Sequence, residues 1–450
     1  MRKSPFSDGF TPVAEEITAF DLQVTGRIPD ELNGRYLRNG PNPLSLDDPS
    51  AGHLFLGEGM VHGVRLREGR AEWYRNRWVR SARVAERLGE RPRPGPVHEG
   101  MDFAANTHVI GVAGRTFATV EAGALPYELG YELDTIGSCD FDGGLPGGYA
   151  AHTHLDPASG ELHALAYFFA WDHHQHIVID PKGTVTQVRD IPVPDSPMVH
   201  DFAITERFVV IYDLPVTFSM GHAEKGALLP YAWNEAHAPR VGLLSRESGE
   251  VRWVEAPSCW VFHTLNAYDD GDHVVVDVVS YPKGFVDARL DLGGPPTLDR
   301  WRIDLTTGRT AVTRLDDRAQ EFPRMDERRT GRPYRYGYTA ATTELRDIVG
   351  NEFEDLPDEA FENTLIKHDL VRGTQESRVF GRGAYVGEPV FVGSGAAEDD
   401  GWLIAYVNDP ARGATDLVIL QSQDFTGEPV ATVHLPARVP LGFHGSWIAD

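Results

Sequence analysis

Cysteine is nearly missing from this chain. Cys139 and Cys259 are the only two in 450 residues, with no Cys-x-x-Cys spacing, which excludes a disulfide scaffold. Clusters of positive charge are missing too. The 42 lysines and arginines are outnumbered by 67 aspartates and glutamates, for a formal charge of −25. Such a surface repels phosphate backbones and anionic lipid, which argues against a nucleic-acid partner. No run approaches the roughly 20 apolar residues of a spanning helix. The opening MRKSPFSDGF follows two basic residues with Ser, Pro, Asp and Gly, where a secretion signal needs a continuous apolar stretch. A soluble, reduced, cytoplasmic protein is the expectation.

Helical patterns are also scarce. SARVAERLGER and part of RDIVGNEFEDL are the best candidates. What is abundant is short strand-like segments such as RTFATVEA, ELHALAYFFAW, FVVIYDL, HVVVDVVSY and DLVILQSQ. They are rich in Val, Ile, Tyr and Phe and separated by turns such as DPASGE, DPKGT and LTTGRT. The chain reads as all-β, and a single sandwich of about 100 residues would leave most of it unexplained. No linker or low-complexity block divides it, so one domain over 1–450 is expected.

AHTHLDPASGELHALAYFFA, VHDFAITERFVVIYDLPV and FHTLNAYDDGDHVVVDVVS share a plan: a histidine, a polar turn, then an apolar strand. Their histidines, His152, His200 and His263, are 48 and 63 residues apart, close to the 40 to 50 residues of a propeller blade. Equivalent positions on the inner strands of a propeller face one axis. Histidines repeated once per blade would meet there, and clustered imidazoles suit Zn, Cu, Fe or Ni. The segment PLGFHGSWIAD places His444 between large apolar groups, Phe443, Trp447 and Ile448, in a part of the chain that is usually frayed and polar.

The sequence resembles the carotenoid cleavage oxygenases, a family that includes stilbene-cleaving dioxygenases and a retinoid isomerase. The resemblance runs in order through GRYLRNGPNP, GEGMVHG, DFAANT, EAGALPYEL, AHTHLDPASGEL, MVHDFAIT, FHTLNAYDDGD, EFPR, GEPVFV and GFHGSW. It implies an all-β, seven-bladed β-propeller with a few short helices and loops capping one face. It implies a non-haem Fe(2+) on the axis, held by His152, His200, His263 and His444. Where the family usually reads Ala-His-Pro-Lys, this chain has Thr153 and His154, so His154 competes with His152. His62 of GMVHG falls near the expected cavity without a ligand role, and His108, His173, His174, His176 and His273 read as surface or structural histidines.

By the same resemblance, Glu121, Glu321 and Glu388 hold the outer nitrogens of the imidazoles, although each could be an ordinary solvated charge. Thr107 would steer dioxygen to the open iron position, or is a plain strand threonine. The implied activity is dioxygenase cleavage of an alkene C=C bond into two carbonyl products, with hydrophobic alkene and O2 as partners and no obligate protein partner. Val120 stands where stilbene-cleaving members have a lysine that helps hold a phenol, which favours a carotenoid or apocarotenoid over a stilbene or small phenylpropenoid. Phe168, Phe169, Trp171, Trp233 and Trp260 are candidate tunnel walls or plain core. Transient membrane contact through GALLPYAW stays open, and the reading from a different class is a non-enzymatic interaction propeller.

Overall fold

The computed structural model describes residues 8–45, 53–288, 291–342 and 363–450. Among them, seven antiparallel sheets of four or five strands and one two-stranded ribbon account for the strands. The sheets are the blades of a seven-bladed β-propeller. The helical candidate RDIVGNEFEDL lies outside the described residues. SARVAERLGER forms the helix Ala82–Arg87, started by the Ser81 hydroxyl, which accepts the Val84 N–H, and docked through Val84 and Ala85.

Position in a blade decides how a strand reads. His273–Tyr281 lies between Trp260–Asp270 and Thr297–Asp304 and is buried along nearly its whole length. Both its faces pack against apolar neighbours, hence the unbroken HVVVDVVSY. Thr310–Asp316, the outermost strand of the same blade, is largely exposed and polar. The turns follow from aspartate chemistry. Asp180 Oδ1 accepts the N–H groups of Lys182 and Thr184 in DPKGT at 2.9 and 2.8 Å. Asp304 does the same for Thr306 and Thr307 in DLTTG. Side-chain acceptors of this kind fold a tight turn without ladder bonds.

Segments far apart in sequence close the ring. Gly445–Ala449 pairs with Gly34–Pro41 and becomes the innermost strand of the first blade. Gln23–Gly26 pairs with Ala431–His434 as the outermost strand of the last blade. Trp447 packs on the cluster that holds Tyr36 and Tyr406, and Ile448 on the one that holds Leu37 and Val109. The ribbon Val216–Phe218 with Tyr231–Trp233 carries the short helix Met220–Ala223. No helix among the described residues is long and apolar enough to cross a membrane.

Candidate metal centre

The four histidines occupy matching places. His152 directly precedes the innermost strand Thr153–Leu155, His200 lies just before Ala203–Ile204, His263 is in Trp260–Asp270, and His444 directly precedes Gly445–Ala449. Radial repetition thus delivers each ring at the same end of an inner strand. One ligand atom from each lies within 4.8 Å of all the others. The Nε2 atoms follow in a chain, His152 to His200 at 3.1 Å, His200 to His263 at 3.3 Å and His263 to His444 at 3.1 Å.

Three glutamates face the outer side of this cluster. His200 Nδ1 meets Glu121 at 2.8 and 3.0 Å, His263 Nδ1 meets Glu321 at 2.5 Å, and His444 Nδ1 meets Glu388 at 2.9 Å. A carboxylate can only accept, so each of these Nδ1 atoms carries the hydrogen, and in the neutral rings that bind a metal each Nε2 presents a lone pair. Lone pairs facing one another across about 3 Å repel unless a cation stands between them. The donor set therefore fits a divalent metal bound by imidazole. Arg324 reaches Glu388 Oε1 at 3.3 Å, so a dication, three carboxylates and this guanidinium would sum to neutrality, which burial demands. Among the described residues His152 has no carboxylate partner of its own.

Burial holds His152 and His444 well below the ordinary histidine range, with neighbouring imidazoles adding to the effect. At His263 burial acts the same way, but attraction to Glu321 and its hydrogen bond leave the ring above its usual value. The backbone is bent to fit. Register shifts flank Thr264 and fall between Glu321 and Arg324; bulges of this kind re-aim side chains beside active sites. Phe322 takes φ 54°, a conformation costing about 1–3 kcal/mol. In it, the Phe322 N–H donates to Glu321 at 2.6 Å while its ring stacks on His263 at 5.6 Å.

Above the cluster opens a cavity of about 640 Å³, walled mostly by apolar and aromatic residues and touched by Thr107, Val120, Glu121, His200, His263, Glu321 and His444. Thr107 also anchors the final segment, since its carbonyl accepts the His444 N–H at 3.0 Å. Of the proposed tunnel aromatics, Phe169 lines this cavity. Phe168 sits behind it, with ring centroids 4.4 Å apart, and Trp171 stacks on His173. Trp260 is fully buried behind Phe262 and Phe285, and the half-buried Trp233 lies under Lys283. The walls come instead from Phe55, Phe262, Phe285, Phe322 and Phe443, four of them outside the aromatic-rich strands that drew notice in the sequence.

His154 is not one of the four converging rings; its Nε2 bonds Asp201 at 2.9 Å. His62 is buried on Tyr74 at 3.0 Å and does not line the cavity. Arg324 had escaped notice although it closes the EFPR motif, because no spacing rule ties an arginine to a distant glutamate.

The family model described as retinal pigment epithelial membrane protein matches residues 10–449. The chain is 44% identical to a protein named carotenoid cleavage oxygenase from Mycobacterium tuberculosis, over 99% of this chain and 97% of that one. It is 32% identical to an isoeugenol monooxygenase from Pseudomonas nitroreducens, over 97% and 96%. Among solved structures, the lignostilbene dioxygenase of Pseudomonas brassicacearum superposes with a TM-score of 0.87 at 28% identity, covering 100% of this chain and 99% of that one. A cobalt-substituted apocarotenoid oxygenase of Synechocystis gives 0.85 at 26%, covering 98% of each. Near-complete coverage by an oxygenase family, joined to four imidazoles converging on one point, decides the matter: this chain is a member of the retinal pigment epithelial membrane protein and carotenoid cleavage oxygenase family.

Proposed function

We propose that this protein is a ferrous-iron dioxygenase that cleaves one C=C bond of a carotenoid or apocarotenoid with O2, giving two carbonyl products. The observation that carries the reading is the convergence of His152, His200, His263 and His444 on one point, with the last three lining a large apolar cavity. Each oxygen atom of O2 ends on one carbon of the cleaved bond, so the reaction balances without an added reductant. Iron bound by the four imidazoles would supply oxygen activation, and the electron-rich alkene the electrons.

The protein's part is geometric. Glu121, Glu321 and Glu388 fix the tautomer and aim of three rings. The aromatic walls exclude water and hold a long apolar chain in a restricted set of orientations. Thr107, its hydroxyl bonded to Asn106 at 3.1 Å, stands at the cavity wall and would steer the approach of O2 to iron held by the four imidazoles.

Cleavage of a stilbene or small phenylpropenoid is the second reading, supported by the likeness to the isoeugenol and lignostilbene enzymes. Against it, Val120 lines the cavity and no lysine does among the described residues, and Arg83 of the cavity wall is already paired with Glu58 at 3.2 Å. The test is to prepare protein with iron and incubate it in air with an apocarotenal and, separately, with a hydroxystilbene. Paired aldehydes from the apocarotenal, detected by mass, are expected; cleavage of the stilbene alone would overturn the substrate choice. Protein without stoichiometric metal would overturn the enzyme reading.

A further inference from the structure

Three of the four rings are braced by a carboxylate on Nδ1, and His152 is not. The strands that follow the first two rings are also very short. Thr153–Leu155 has three residues and Ala203–Ile204 two, each paired only within its own blade. Ladder bonds therefore do little to fix His152 relative to its neighbours in the next blades.

A single buried carboxylate spans that gap. Asp201 directly follows His200 and is 3% exposed. Its Oδ1 accepts from His154 Nε2 at 2.9 Å and from the Phe202 N–H at 2.8 Å. Its Oδ2 accepts the backbone N–H of Thr264, the residue after His263, at 2.8 Å. His154 is two residues beyond His152, and its ring packs edge-on against Phe202 at 4.8 Å.

We infer that His154 and Asp201 form a positioning unit for the metal centre, setting His152 against His200 and His263 through the backbone of three adjacent blades. The inference rests on the metal-centre reading above and adds to it the brace that His152 lacks. It also gives His154 a role: placed where a second ligand was conceivable, it turns to the neighbouring blade and holds the first ligand's strand. His154 is a positioning residue here, since it touches neither the metal position nor the cavity.

The experiment uses the full chain and cobalt(II), whose absorption bands report coordination geometry. His154→Leu keeps the bulk against Phe202 and removes the bond to Asp201; His154→Gln keeps a donor. Metal affinity is measured by competition with a chelator, and thermal midpoints of the metal-free proteins are compared. The expected result is a fall in affinity of about 10–100-fold for His154→Leu, with shifted cobalt bands, a midpoint close to wild type, and recovery of both affinity and bands in His154→Gln. Wild-type affinity and bands in His154→Leu would overturn the inference. So would a loss that tracks a lowered midpoint and is not restored by His154→Gln. A wild-type chain that binds no metal would sink the metal-centre reading and this inference together, whereas wild-type uptake with an indifferent His154→Leu sinks this inference alone.

Discussion

The floor of the propeller axis and the chamber above it are built by opposite rules. On the floor polar atoms are matched in specific pairs: three of the four imidazoles to a carboxylate, Glu321 to the Tyr281 hydroxyl at 2.8 Å, Glu388 to the Gly445 N–H at 2.8 Å. Exchanging any one of these groups leaves another buried charge or donor unmatched, which is costly in a low-dielectric interior. In the chamber Phe55 meets Phe262, Phe285 and Phe443 at centroid distances of 5.7 to 6.3 Å. Such contacts are non-directional, and residues of similar size can replace one another with little loss. The floor therefore tolerates almost no change in residue type, while the chamber constrains little beyond volume.

The contrast would break most visibly through the segment that carries His444. Removing residues 441–450, or changing His444→Ala alone, is expected to abolish metal uptake, read as metal per chain in protein produced with iron. Retained stoichiometric metal would show that the floor does not need its fourth ring. Next in size, Glu321→Gln is expected to lower metal affinity about 10–100-fold while leaving the cavity walls as they are. A chelator titration measures it, and an unchanged affinity would put the floor on the chamber's terms.

Acid sharpens the comparison in another way, because neutral buried histidines also lie away from the axis. Burial pushes His163 and His174 down to about 4 and His176 to about 3. The unfolded chain protonates these rings near pH 6.5 and the folded one does not, so the unfolded state binds more protons. Stability is then full above that range and falls as pH drops from about 6.5 toward the depressed values, by up to about 1.4 kcal/mol per pH unit for each site. The metal-free protein should show a declining thermal midpoint from about pH 7.5 to 5.5; a flat profile would contradict it. Smaller still, Phe55→Ala should raise KM for a polyene several-fold with metal content unchanged. The smallest effect is expected for Phe169→Ala at the half-exposed rim, where the ring stacks on Phe218 at 5.0 Å. A stability loss of no more than about 1 kcal/mol, read from denaturant unfolding, would fit.

The same asymmetry decides how much of the molecule is legible in its sequence. Blades were legible because strand composition and aspartate turns repeat, and because His152, His200 and His263 each announce an inner strand. The four rings and three carboxylates that the fold brings together were legible only through the resemblance to the oxygenase family, whose motifs carry them. The walls were hidden. Trp260 and Phe262 lie on one strand, yet the register shift beyond Val261 puts Phe262 in the cavity and leaves Trp260 behind it, and no periodicity foretells a bulge. Phe55 lies in the short 3-10 turn Leu54–Leu56 and Phe443 in a loop, where aromatic content says nothing of direction. The joining of Gln23–Gly26 to the last blade was equally invisible, since such pairing depends on what the ring brings alongside, not on the strand itself.

The closing strand that delivers His444 carries a consequence for biosynthesis. The fourth ring lies 181 residues beyond His263, so a nascent chain that has emerged through the third ligand still lacks the donor that encloses the ion. A metal captured at that stage would have three of the four imidazoles. On the proposed reading, four-ring binding would wait until Gly445–Ala449 has paired into the first blade, and metal retention would then serve as a readout of completed folding.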